Sequence, residues 1–250
     1  MRHTACLFLL IGSIVLIHSE AAAQPQSSAK IPSRELISTT QTHPATAIRK
    51  LCSTDRLTAY SITIPAHGAT IVNPHPSDYL LISLSAIDLE ASGSSGVSYP
   101  LHLEQEEMQV MKGGWPHRLA NHSDLPTRLI EVDVQHNIAP EHALCGLSAR
   151  PCTDGRFGRN EEGTFSTSTL FETPKVKLTK IELGSKGVFG IHAHPGSALL
   201  IALTPVHLAD GGQISIEKDA GEAQAYPART THQLKNLGTE TVRFLEFEAK

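Results

Sequence analysis

The residues in this sequence best suited to chemistry are three histidines, His192, His194 and His232. His192 and His194 stand one residue apart, and two such side chains on a β-strand point to the same face. On a barrel strand that face can be the interior, which His232 would reach from a neighbouring strand. Three neutral imidazoles suit Fe, Mn, Zn, Cu or Ni, with positions left for water or substrate. The spacing predicts a divalent-metal site; the alternative is a set of solvated or hydrogen-bonded histidines.

The elements that would position these histidines are short β-strands. Apolar and polar residues alternate over short runs, which is typical of half-buried strands, and glycine-rich turns separate the runs. The clearest runs are Tyr60–Ile64, Ile130–Val134, Ile181–Leu183, Ile214–Ile216 and Leu245–Glu248. No helical pattern lies between them, so the expected fold class is all-β, a sandwich or a barrel.

An internal repeat relates the two halves of the chain. One ungapped register matches the first part of each half, and a register shifted by four residues matches the second part. The matched pairs include Gly68 with Gly187, His75 with His194, His117 with His232, Asn121 with Asn236 and Arg128 with Arg243. Because a histidine, an asparagine and a strand pattern recur together, the halves are interpreted as two copies of one module.

Each copy resembles a member of the cupin superfamily, whose fold is a small double-sheet jelly roll. The family's first motif is a glycine, a His-x-His pair and a glutamate, and its second is a turn, a histidine and an asparagine. The second half matches at Gly187, His192, His194, Gly221, Pro227, His232 and Asn236, and the first half at Gly68, His75, Gly113, Gly114, His117 and Asn121. The whole chain therefore resembles a bicupin, with two tandem small β-barrels.

The sequence departs from the cupin motifs in both halves. The family's glutamate would fall near residues 198–199, which are Ala and Leu, so the expected C-terminal site has histidines only. In the first half Asn73 replaces the first histidine of the pair, and Tyr79 stands near the glutamate position. His75 and His117 remain there as a weaker second metal site. The N-terminal barrel is interpreted as a degenerate copy, either a binding pocket without metal or a structural partner.

The chain begins with the pattern of a secretory signal peptide. A basic start, an apolar run over residues 6–17 and an Ala-x-Ala ending predict cleavage after Ala23. The run is shorter than the roughly 20 residues of a membrane helix. The predicted organisation is a signal peptide over 1–23, a flexible leader over 24–44, barrels over 45–139 and 173–250, and a connection over 140–172. We therefore expect a secreted or periplasmic protein.

Three cysteines remain after the predicted cleavage. Cys145 and Cys152 are close enough in sequence to pair in an oxidising compartment. Closing so short a loop would stabilise the fold by about 2–3 kcal/mol. Cys52 is then left over, either buried as a small apolar residue or free to react.

Charge and composition limit the partners. The formal net charge is −4, and neither lysine nor arginine clusters, which argues against a nucleic acid or an anionic membrane as partner. The resemblance implies a small-molecule ligand, and after signal cleavage nothing indicates a membrane partner. Edge-to-edge dimers are common among barrels of this kind, so a homodimer stays open.

Three functions stay open at this stage. The first is a metal-dependent oxygenase, such as a dioxygenase, or an isomerase, in which the metal activates dioxygen or polarises an oxygenated small molecule. The second is a non-catalytic protein that binds a small ligand in a barrel cavity, and the missing glutamate favours it. The third is a structural protein in which both barrels have lost their sites.

Overall fold

The computed structural model describes residues 45–159, 163–211 and 214–250. The predicted signal peptide, residues 1–23, and the predicted leader, residues 24–44, lie outside these described residues. Across the described part of the chain, no helix is long and apolar enough to cross a membrane.

The first half of the chain forms two antiparallel sheets. The larger sheet has the strand order β1-β2-β8-β3-β6, and the smaller has the order β5-β4-β7. The strands are β1 Ala47–Ser53, β2 Leu57–Ile64, β3 Tyr79–Ser83, β4 Ile87–Gly93, β5 Ser98–Leu103, β6 Met108–Met111, β7 His117–Asn121 and β8 Thr127–Val134. Apolar side chains of both sheets share one core cluster, which contains Ile64 and Leu81 from the larger sheet and Leu89 and Leu119 from the smaller.

The second half repeats this arrangement. Its larger sheet has the order β16-β13-β18-β11-β10-β9, and its smaller sheet has the order β12-β17-β14-β15. The strands are β9 Arg156–Arg159, β10 Thr164–Glu172, β11 Val176–Leu183, β12 Val188–Ala193, β13 Ala198–Ala202, β14 Val206–Asp210, β15 Ile214–Lys218, β16 Ala223–Tyr226, β17 Thr231–Asn236 and β18 Val242–Ala249. The predicted all-β class, two tandem small barrels of the double-sheet jelly-roll kind, is confirmed.

The larger sheets of the two barrels pack against each other through a core cluster of their own. Leu80 and Ile82 of β3 belong to this cluster together with Leu199 and Ile201 of β13. The alternate residues of the same strands, such as Leu81 and Leu200, belong instead to the core of their own barrel. Both strands are buried on both faces, which explains why their sequences are continuously apolar rather than alternating.

The segment predicted as a connection, residues 140–172, also contains strands. The predicted Cys145–Cys152 disulfide is present, with its Cα atoms 4.9 Å apart. After it come β9 and β10, and β10 pairs with β11 of the C-terminal barrel. The strands were hidden in the sequence because β10 is rich in serine and threonine, and Gly158 and Gly163 lie within or beside the two strands.

Cys52 is unpaired and half-buried. It packs against the core cluster between the barrels. Burial raises the pKa of its thiol, although Lys218 and Lys50 oppose that shift. A protonated thiol in this position behaves as a small apolar residue rather than as a nucleophile.

Candidate metal centre

Adjacent strands of the small C-terminal sheet bring the three predicted histidines together. His192 lies near the end of β12 and is paired in register with His232 of β17. His194 follows β12 directly, and its backbone N–H donates to the carbonyl oxygen of Thr230. A fourth side chain, Glu246, reaches the same point from β18 of the opposite sheet. The site therefore lies inside the barrel, between its two sheets.

The four side chains converge on one small volume. Oε1 of Glu246 lies 3.1 Å from Nε2 of His192, 3.1 Å from Nε2 of His194 and 3.6 Å from Nε2 of His232. The Nε2 atoms of His194 and His232 are 3.0 Å apart. Ligands about 2.1 Å from an ion lie about 3.0 Å from one another in octahedral geometry and about 3.4 Å in tetrahedral geometry. The spacing of these donor atoms fits coordination of one metal ion.

The far side of each imidazole turns away from the centre. Nδ1 of His192 donates to the carbonyl oxygen of Gly190 over 2.9 Å. Nδ1 of His232 donates to Oδ2 of Asp210 over 3.4 Å, and the Tyr226 hydroxyl donates to the same oxygen over 3.0 Å. An imidazole whose Nδ1 carries the proton has its lone pair on Nε2, and outer partners of this kind orient metal ligands. Both histidines are thus held with their lone pairs toward Glu246.

His194 is the most buried of the three. Its Nδ1 has no hydrogen-bond partner among the described residues, and the nearest acceptor, Oε2 of Glu248, is 3.6 Å away. An unsatisfied buried donor costs about 1–3 kcal/mol. A small movement of His194 toward Glu248 would remove this cost.

The charges around the space between Glu246 and the three histidines also favour a bound cation there. Burial alone would raise the pKa of Glu246, but the close imidazoles of His192, His194 and His232 hold it well below its usual range. Burial opposes protonation of His194, yet Glu246 and Glu248 outweigh it and raise its pKa to about 9. Four acceptor atoms that face one another inside a barrel need positive charge between them. A proton on His194 can supply it, and so can a divalent metal.

Glu246 is the candidate ligand that the sequence analysis missed. The expected glutamate position lies on β13, where Ala198 and Leu199 stand. The carboxylate comes instead from the neighbouring strand, because β18 pairs with β13 and sets Glu246 opposite Leu200. A signal was present: Glu246 interrupts an apolar buried run, and the repeat places Glu131 at the equivalent position.

The equivalent histidines of the N-terminal barrel are occupied by other hydrogen bonds. The Tyr79 hydroxyl donates to Nε2 of His117 over 2.6 Å, and Nδ1 of His117 donates to the Trp115 carbonyl oxygen over 2.7 Å. Asn73 Nδ2 donates to Nε2 of His75 over 3.2 Å. The ring centroids of His75 and His117 are 5.8 Å apart. The two residues of the weaker predicted site therefore do not direct free lone pairs to a common point.

The acidic residues near His75 form a looser group than the cluster of the C-terminal barrel. Glu131 Oε2 lies 3.8 Å from Nε2 of His75, whereas Asp133 Oδ1 lies 3.4 Å from Nδ1. These nitrogens point to opposite sides of the ring, so one ion could use only one of them. Among the described residues, the four-residue cluster is that of the C-terminal barrel, whereas His75, Glu131 and Asp133 form a three-residue group whose donor atoms lie within 4.8 Å of one another.

No family model matches this sequence, and no curated protein matches it. Solved structures do resemble it. The structure of AerE from Microcystis aeruginosa is 11% identical, with a TM-score of 0.61, over 84% of this chain and 95% of that one. A cupin 2 conserved barrel domain protein from Leptotrichia buccalis is 13% identical, with a TM-score of 0.55, over 84% and 92%. A mutant of salicylate 1,2-dioxygenase from Pseudoaminobacter salicylatoxidans, in complex with gentisate, is 10% identical, with a TM-score of 0.57, over 80% and 73%. At these identities the likeness shows the fold, and its span includes both barrels.

Proposed function

We propose that this protein, which has the bicupin fold, is a metal-dependent enzyme that acts on a small oxygenated organic molecule. Its metal would be held in the C-terminal barrel by His192, His194, His232 and Glu246. The observation that supports the proposal is the convergence of three Nε2 atoms and one carboxylate oxygen within 3.0–3.6 Å. Three imidazoles and one carboxylate suit Fe, Mn, Zn, Cu or Ni, and the ligand types do not choose among them.

Each residue of the site has a defined task in this proposal. Glu246 offsets one charge of a dication, and the histidines supply neutral donors. Asp210 and Tyr226 hold His232 in the tautomer that presents Nε2. A bound metal would supply Lewis-acid polarisation of a substrate oxygen atom, or activation of dioxygen.

The substrate would approach from the side of His192. The His192 side chain keeps 20% of its surface exposed, whereas His194 and His232 keep 1% and 3%. The Phe189 ring lies beside His192, with centroids 4.3 Å apart, and the neighbouring Ile191 is exposed. This apolar approach suits a substrate with an oxygen donor at one end and an apolar body.

One structural neighbour is a dioxygenase in complex with gentisate. The relation is one of fold, and it makes oxygen-dependent chemistry the first reaction to test, with isomerisation next. The disulfide is typical of an oxidising compartment, so we also propose that the protein works outside the cytoplasm.

A second candidate is a protein that binds a metal and a small ligand without turnover. The observation that favours it is that the acid–base side chains around the ligands are already engaged. Tyr226 bonds to Asp210, Asp210 bonds to His232, and Glu248 faces His194. Among the described residues, neither Tyr226 nor Asp210 is left free to exchange a proton with a substrate, so turnover would rest mainly on the metal.

Oxygen uptake tests the enzyme directly. Protein loaded in turn with Fe, Mn, Zn, Cu and Ni would be offered a panel of phenols and hydroxy acids, with product analysis for isomers. The proposal expects turnover with at least one metal, loss of it in His232→Ala, and retention in the matched His117→Ala variant of the other barrel. Circular dichroism would verify that both variants fold. If compounds of the panel bind to protein that keeps its metal, but neither oxygen uptake nor isomerisation follows, the second candidate is favoured.

A further inference from the structure

The N-terminal barrel contains a cavity of about 130 Å³ at the position equivalent to the candidate metal centre. Its polar lining comes from Tyr60, Thr70, Asn73, His75, His117 and Glu131. Two apolar residues at its rim, Ile48 and Ile71, are 50% and 79% exposed. The cavity therefore has a polar interior and an apolar mouth that opens to solvent.

Glu131 is the group inside this cavity that lacks a partner. Its side chain is only 9% exposed, and it accepts no hydrogen bond from any residue that the structure describes. The nearest titratable nitrogen, Nε2 of His75, is 3.8 Å away and beyond hydrogen-bond reach. Burial raises the pKa of Glu131 to about 7; His75 opposes this shift and Asp133 adds to it. A buried carboxylate without donors is costly unless a partner is supplied.

Apart from the Tyr60 hydroxyl, the other polar groups of the cavity already make hydrogen bonds. Tyr79 donates to His117, His117 donates to the Trp115 carbonyl, and Asn73 donates to His75. None of the residues that line the cavity is a lysine or an arginine. The Glu131 carboxylate therefore still lacks a positively charged hydrogen-bond donor.

The walls of the cavity suit an organic cation rather than a metal ion. The aromatic rings of Tyr60 and Tyr79 line it, and the faces of such rings attract ammonium groups. A metal ion would need several convergent lone pairs, whereas both histidine Nε2 atoms already accept hydrogen bonds. The volume corresponds to about four water molecules, which limits the ligand to a few heavy atoms.

We propose that the N-terminal barrel binds a small primary alkylamine in its ammonium form. The ammonium group would donate to the Glu131 carboxylate, and the alkyl part would lie between Ile48 and Ile71 at the mouth. Charge-assisted hydrogen bonds of this kind are roughly twice as strong as neutral ones. The site is independent of the metal centre, and no part of it depends on the proposed enzyme activity.

Isothermal titration calorimetry of the full mature chain tests this site, with n-propylammonium, propan-1-ol and propionate as three probes of similar size. We expect the ammonium ion to bind at least about tenfold more tightly than the alcohol, and propionate to give no binding heat. Glu131→Gln should weaken ammonium binding at least about tenfold, whereas Glu90→Gln on the same barrel should leave it unchanged.

A second pair of variants keeps the test valid if Glu131→Gln alters the fold. Ile71 is exposed, so Ile71→Arg places a cation at the mouth without disturbing the core, and Ile71→Gln is its neutral control. The arginine variant should weaken ammonium binding more than the glutamine variant does.

Three outcomes would overturn the proposal: equal binding of the ammonium ion and the alcohol, no binding of either, or ammonium binding that neither Glu131→Gln nor Ile71→Arg changes. So would stoichiometric Zn²⁺ uptake by this barrel in a His192→Ala, His194→Ala background.

Discussion

Tyr79 of the N-terminal barrel and Ala198 of the C-terminal barrel occupy the same place in the repeat. The Tyr79 hydroxyl donates to Nε2 of His117, so the lone pair that would bind a metal is already engaged. Ala198 carries no donor, and Nε2 of His232 faces Nε2 of His194 at 3.0 Å. The Tyr79 hydroxyl thus distinguishes the two equivalent histidines. Nε2 of His117 accepts its hydrogen bond, whereas Nε2 of His232 has no such donor and can face a metal ion.

The carboxylates at the equivalent position of β8 and β18 also differ in their surroundings and in their pKa. Glu246 lies among three imidazoles, which keep its pKa low in spite of its burial. Glu131 is buried with one imidazole at 3.8 Å, and its pKa is raised to about 7. The neighbours of a carboxylate, rather than its place on the strand, set its charge and therefore the ligand that it can accept.

The largest loss of metal affinity is expected when the C-terminal barrel is given the residues of the N-terminal one. The double variant His192→Asn, Ala198→Tyr should lose at least about a hundredfold in metal affinity, because a ligand is removed and a donor is set against His232. Competition with a chromophoric chelator measures the affinity. The single variants separate the two contributions. If Ala198→Tyr alone leaves the affinity unchanged, the role assigned to the Tyr79 hydroxyl is wrong.

A smaller effect is expected from the side chain that orients His232. Asp210→Asn removes the charged acceptor from Nδ1 and should lower metal affinity about tenfold to a hundredfold. Tyr226→Phe leaves Asp210 in place and should cost less. The same chelator competition gives both values. An unchanged affinity in Asp210→Asn would show that His232 is oriented by its strand and needs no side-chain partner.

The last effect concerns the stability of the N-terminal barrel. The folded-state pKa of Glu131 is about 7, above its usual value of 4.5, so the folded chain binds more protons between these values. The free energy of unfolding should therefore fall as pH rises from about 4.5 to 7, by about 1–3 kcal/mol in total. Glu131→Gln should abolish this decline. Urea denaturation at a series of pH values measures it, and an equal decline in both proteins would contradict the assignment.

The fold could be predicted because its signals are local or repeated. Alternation identified the half-buried strands, and the repeat established that the barrel occurs twice. β9 and β10 were missed since the Ser- and Thr-rich run Thr164–Glu172 has weak apolar periodicity. The face-to-face contact of the larger sheets is encoded in the apolar runs of β3 and β13, but a sequence alone does not say what covers each face.

The candidate metal centre could be predicted only in part. His192 and His194 share a face because strand alternation is a local rule, and the repeat linked His232 to them. Glu246 was missed because it reaches the histidines through closure of the barrel, more than fifty positions after His192 in the sequence. The blocking role of Tyr79 was equally hidden, since it depends on a contact with His117 across the N-terminal barrel.

The metal content of two matched variants tests whether a metal binds in the C-terminal barrel. Glu246→Gln and Glu131→Gln make the same chemical change at equivalent positions of the two barrels. Elemental analysis of protein purified without chelator should find about one divalent metal ion per chain in the wild type and in Glu131→Gln, and most of it lost in Glu246→Gln. Equal metal content in all three proteins, or none in any of them after reloading with Fe, Mn, Zn, Cu and Ni in turn, would contradict the assignment of the metal to the C-terminal barrel.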